Sequence, residues 1–102
     1  MIIRWLLQAH HNRLAQLDYI AQDNPLAAFG QDEEIERQVN MLLEHPKMGR
    51  AGRVAGMREG VVSGTPFVVI YRLRAQHIEV IRVLHSSQQW PLKKWFVSGI
   101  CG

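Results

Sequence analysis

One cysteine, Cys101, is all that this chain of 102 residues contains. A lone thiol near the C-terminus excludes an intramolecular disulfide and a thiolate metal cluster, so the expected setting is the reducing cytoplasm. His10 and His11 offer no substitute. Helix neighbours point about 100° apart, and no Cys, Asp or Glu is placed to finish a metal site with them. Neither metal nor cofactor is expected. Long apolar runs are missing too: Arg4 breaks the opening MIIRWLL and no small-residue cleavage site follows. A bilayer span needs about 20 consecutive apolar residues, so the expectation is a protein neither secreted nor embedded in a membrane. No GxGxxG or Walker-type loop occurs, and the spacing of Gly49 and Gly52 is too common to indicate nucleotide binding.

What is present is a 47% apolar composition, enough for one small domain with a single core. The formal net charge of +3 averages two unlike halves. Residues 1–44 carry three Arg against seven acids, a net of −4, whereas residues 45–90 carry seven Lys or Arg against two acids, a net of +5. Such asymmetry marks either a surface built for an acidic or polyanionic partner or two halves that attract each other.

Residues 2–5 suit a first strand, because β-branched and aromatic side chains cluster there. Over residues 8–22, Leu14, Leu17, Ile20 and Ala21 recur at helical spacing, with Asn12, Arg13, Gln16 and Asp18 largely on the other face. Asn24 and Pro25 stop that helix and start another, Asn24 as a cap and Pro25 in the first turn. Leu26, Phe29, Ile35, Val39, Leu42 and Leu43 then keep the 3.6 period to Glu44, and Pro46 forbids continuation. A glycine-rich link with Arg50 and Arg53 leads to three strand-length runs, residues 57–62, 67–73 and 77–84, joined by turns short enough for hairpins. The predicted order is β-α-α-β-β-β, an α+β domain in which two antiparallel helices cover one face of a small antiparallel sheet. Strict alternation along the last strand puts Ile78, Val80, Arg82 and Leu84 on one face and Glu79, Ile81 and Val83 on the other. Arg82 then sits in an apolar row, either as a structural partner of a carboxylate such as Glu59 or as a functional cation.

The ordered series Tyr19-Ile20, Asn24-Pro25, Ala27-Ala28, Pro46, Gly49-Arg50, Gly52-Arg53-Val54 and Gly56-Met57-Arg58-Glu59 resembles the ParE/RelE superfamily of toxins from bacterial type II toxin-antitoxin modules. The likeness continues through Gly64-Thr65-Pro66, Tyr71-Arg72, Ile81-Arg82-Val83-Leu84-His85 and Trp90-Pro91, and looks closest to the ParE and plasmid-stabilisation branch. It implies a single toxin domain over residues 1–91. Residues 92–102 depart from it, as a native extension, a read-through or a cloning remnant, and Trp95, Phe96 and Ile100 there would need cover.

Two activities follow from the resemblance. RelE-like members cut mRNA on the ribosome by attack of a 2′-hydroxyl on the adjacent phosphate, which calls for cations and an acid or base. Arg58, Arg82 and His85 match positions that serve such catalysis. Many nuclease members also carry a tyrosine near the C-terminus, and here the only tyrosines are Tyr19 and Tyr71. Trp90 stacks on a base or closes the core, but an indole does not exchange a proton usefully. The ParE branch is associated with trapping DNA gyrase, a binding event that needs no catalytic group. On that reading Lys47, Arg50, Arg53, Arg72 and Trp90 contact the target or a cognate antitoxin, whose C-terminal segment wraps the toxin in a hetero-oligomer. A third reading is a non-toxic, partner-binding relative.

Overall fold

The computed structural model describes residues 1–88 and Trp90. Its elements are β1 (Ile2–Trp5), α1 (Leu7–Asp23), α2 (Pro25–Asn40), a 3-10 turn (Met41–Leu43), β2 (Arg50–Ala51), β3 (Arg58–Val61), β4 (Phe67–Leu73) and β5 (His77–His85). The strands form one mixed sheet in the order β1-β5-β4-β3-β2. β1 runs parallel to β5, with Ile3 opposite Ile78, and the other pairings are antiparallel. The expected helical pair and three-strand meander are therefore present, widened by β1 on one side and the two-residue β2 on the other. Pro91 and the tail residues 92–102 lie outside the described residues.

Asn24 starts α2 as its sequence position suggests, its side chain accepting the Ala27 N–H at 3.1 Å. Regular helix stops at Asn40 rather than Glu44, because the chain tightens into the 3-10 turn before Pro46. The buried stripe of this segment is Ala28, Ile35, Val39 and Leu42. Leu26 and Phe29, expected on that stripe, are 85% and 55% exposed, since they lie about 200° and 100° of helical turn away from Ala28. On α1 the expected polar face is partly turned inward: Asn12 and Gln16 reach the backbone of Val83.

Ile35, Val39, Leu42, Phe67, Val69, Tyr71, Ile78, Val80 and Val83 fill the core between helices and sheet. Each fully buried Ile, Val or Phe contributes about 1.5–3 kcal/mol. A second cluster, Ile70, Ile81, Leu84 and Trp90, forms on the outer face of the sheet. The alternation expected along β5 fails at one residue. Ile70 pairs with Arg82 but Tyr71 pairs with Val80, so Ile81 bulges and the residues after it change faces. Arg82 consequently leaves the row of Ile78 and Val80 and shares the outer face with Ile70 and Leu84.

Candidate recognition surface

The link after the helices is anchored to the sheet by three side chains. Tyr71, buried in β4, donates its hydroxyl to the Pro46 carbonyl at 2.9 Å and accepts the Gly49 N–H at 3.0 Å. Arg58 extends from β3 and donates to the carbonyls of Gly49 (2.6 and 2.9 Å) and Lys47 (3.1 Å). Gly49 has no room for a side chain, because a Cβ there would stand 2.7 Å from the Tyr71 hydroxyl and 2.8 Å from the Glu59 carbonyl oxygen. The third anchor is Glu59, whose carboxylate is buried on the outer side of β3. It accepts from the Arg50 guanidinium and from the Arg53 backbone N–H, both at 3.1 Å, with Arg53 Nε at 4.0 Å. Burial alone would raise its pKa, but the Arg53 N–H and the two guanidiniums outweigh that effect and hold it below the ordinary carboxylate value. Arg53 also donates to the Trp90 carbonyl at 3.2 Å, tying the link to the end of the chain's described part.

The outer face of the sheet thus carries an apolar centre with cations around it. A pocket of about 190 Å³ there is lined by Arg50, Arg53, Glu59, Ile70, His85 and Trp90, among others. At the other end of the face Arg72 meets its cross-strand neighbour Glu79 at 2.6 Å, joined by Arg74 at 3.3 Å and His77 at 3.2 Å. The Arg72 hydrogen bond, then those of His77 and Arg74, outweigh burial and bring the Glu79 pKa from 4.5 to about 2.

The three residues matched to nuclease positions occupy different surroundings. Arg58 pairs with Tyr71 and lies on the helix side, clasping carbonyls of the link. Arg82 is buried on the outer face and donates to the Ile81 carbonyl at 2.8 Å, supporting the bulge. Its pKa is lowered by burial. His85 ends β5, its ring edge-on to Phe67. The Nδ1 atom lies 3.1 Å from the Ser87 N–H and 2.8 Å from its hydroxyl, so it acts as an acceptor there. Of the binding candidates, Arg50, Arg53 and Trp90 come together around one pocket. Lys47 and Arg72 stand apart from it. The anchoring roles of Tyr71 and Glu59 carry no sequence signal beyond a polar group among the apolar and glycine residues of their strands.

A longer groove of about 540 Å³ follows the β3 side of the sheet, between α2 with its 3-10 turn and the strand. Met41, Leu42, Met48, Val62 and Val69 line it, with Arg37 and Arg50 also present. Among the described residues no cluster of His, Cys, Asp or Glu could hold a metal ion, and no helix is long and apolar enough to cross a membrane.

Comparison with known proteins agrees with this architecture. The family described as the ParE toxin of the type II toxin-antitoxin system parDE matches residues 3–90. Y4kP of Sinorhizobium fredii is 39% identical over 93 residues, covering 87% of this chain and 92% of the relative. Toxin RelE2 of Caulobacter vibrioides is 31% identical over 84 residues, covering 82% of this chain and 93% of the relative. A solved chain from the chromosomal ParDE system of P. aeruginosa superposes with a TM-score of 0.76 at 24% identity, over 83% of this chain and 95% of its own length. The chain belongs to the ParE toxin family of type II toxin-antitoxin systems.

Proposed function

We propose that this toxin arrests growth by gripping a protein target, DNA gyrase, rather than by cutting RNA, and that a cognate antitoxin neutralises it through an acidic segment laid on the basic side of the sheet. The observation that carries the reading is the dispersal of Arg58, Arg82 and His85. Phosphoryl-transfer catalysis needs its cations and its acid or base within reach of one phosphorus. Here Arg58 and Arg82 lie on opposite faces, and Arg58 is engaged with the link. Both tyrosines are remote from such a role: Tyr71 is buried in the link's anchor, and Tyr19 is exposed on α1. A binding surface requires only the apolar centre and its surrounding cations. The antitoxin part draws on the charge split between the halves and on the toxin-antitoxin origin of the P. aeruginosa neighbour.

The nuclease reading keeps one supporting feature, the meeting of His85 with Arg50 and Arg53 around the outer pocket. Expression of the toxin without antitoxin separates the two. Gyrase poisoning produces DNA breaks and an SOS response with intact mRNA, and His85→Ala remains toxic. Cleavage of mRNA at ribosome-occupied codons, abolished by a stably folded His85→Ala, would replace this reading with the second.

A further inference from the structure

The sheet has two places where a neighbouring strand ends before the strand it covers. Beyond Val80, β1 gives way to α1, and β5 is exposed along that side. Each outward backbone site there meets a side chain, except the His85 carbonyl, which accepts the Gln88 backbone N–H. The Ile81 carbonyl accepts from Arg82. The Val83 N–H donates to Asn12 and its carbonyl accepts from Gln16, both at a long 3.4 Å. His85 bonds Gln88 through its N–H at 2.8 Å and its carbonyl at 2.9 Å.

On β3 the corresponding closure has a gap. The Val62 N–H reaches the Phe67 carbonyl, so Val62, Gly60 and Arg58 direct their backbone groups at β4, while Glu59, Val61 and Ser63 direct theirs outward. Glu59 is opposite Arg50 of β2. At Ser63 the Gln38 side-chain amide imitates a strand residue, accepting the N–H at 2.8 Å and donating to the carbonyl at 2.9 Å. Between them, neither backbone group of Val61 has a partner among the described residues. Met48 would lie opposite Val61 if β2 continued, but Tyr71 and Arg58 draw the chain away at Gly49. Val61 is left 71% exposed and Met48 52% exposed. Gly60, without a side chain, lies opposite the buried Val69, which forms part of the groove floor.

We propose that Val61 is a docking rung: an extended, acidic segment of a partner polypeptide runs antiparallel to β3, bonds the Val61 N–H and carbonyl, and places apolar side chains in the groove. Strand addition follows from an N–H and a carbonyl directed outward between two filled sites. Acidity follows from charge complementarity. Arg50 is 69% exposed, and its Nε and Nη1 have no partner among the described residues. Lys47 precedes Met48 in the same net-positive part of the chain, whereas Arg37 across the groove is already paired with Glu34 at 2.8 Å. The identity of the natural carrier rests on the antitoxin reading above; the geometry does not.

The test is titration of the full-length, ¹⁵N-labelled chain with a capped heptapeptide of alternating valine and glutamate. At saturation the Val61 amide should exchange at least about tenfold more slowly, with Gly60 and Val62 little changed, since theirs already face β4. N-methylation of the peptide's central residue should weaken binding about tenfold. Val61→Pro removes an N–H that the fold leaves outward at an edge, where proline is tolerated, and should weaken binding similarly with the rest of the amide spectrum intact. Equal binding of the N-methylated peptide, unaltered Val61 exchange at saturation, or no binding at millimolar peptide would overturn the proposal. Neutralisation by an antitoxin is read separately in the growth assay, so the two failures are distinguishable.

Discussion

The two partly covered strands of this sheet are handled differently. β5 is closed by amides and a guanidinium from α1, the bulge and the terminal turn, whereas β3 is closed on either side of one residue and left open at Val61. Exposed edges invite pairing with other chains, and proteins ordinarily blunt them. A fold that closes one side fully and keeps a single rung on the other separates stability from recognition. The same division holds across the sheet: helices seal one face, and the other carries a small apolar centre flanked by Arg50 and Arg53.

The largest effect is expected where closure of the link defines the β3 opening. Tyr71→Phe removes the hydroxyl that bridges Pro46 and Gly49, leaving the buried Gly49 N–H without its acceptor, at a cost of about 1–3 kcal/mol. Chemical denaturation measures it, and a variant as stable as the parent would show that the link holds itself without this anchor. A smaller loss, about 1 kcal/mol, is expected from Asn12→Ala combined with Gln16→Ala, because their bonds to Val83 are long. Amide exchange at Val83 should accelerate toward the rate at Val61. If the two rates already match in the parent, the contrast between the edges does not hold.

The smallest effect is confined to acid. Glu79 has a folded-state pKa depressed from 4.5 to about 2, so its contribution to stability is fully present above pH 4.5 and is lost as pH falls toward 2. Glu79→Gln should flatten the stability profile across that window while leaving neutral-pH behaviour of the Val61 edge untouched. A profile with the parent's slope would assign the acid limb to Glu59, whose pKa is lowered in the same direction.

Much of this arrangement was legible in the residues. Asn24-Pro25 marks the helical hairpin because capping is local, and the three runs from Arg58 to His85 reveal a meander because each is short and followed by a turn. The bulge at Ile81 was not legible: alternation assumes an unbroken ladder, and one extra residue moves Arg82 to the other face. Nor was β2, whose two residues pair only because Tyr71 and Arg58 hold the link against β3. The partnership with Glu59 that the spacing offers as one alternative for Arg82 is taken instead by Arg50 and Arg53 around that carboxylate, a choice made by loop geometry. Reversing Arg50 and Arg53 to Glu would place new acids beside the buried Glu59 carboxylate, and reversing Arg72 would do the same beside Glu79, so lost binding there would not isolate electrostatics; Lys47 is the cleaner position.

The most direct measurement of the central claim uses purified toxin, DNA gyrase, ATP and supercoiled plasmid, followed by denaturation and protease to reveal trapped cleavage. The account predicts linear DNA that accumulates with toxin, undiminished for His85→Ala, and no cutting of mRNA on programmed ribosomes. Intact plasmid together with toxin-dependent mRNA cleavage would contradict it.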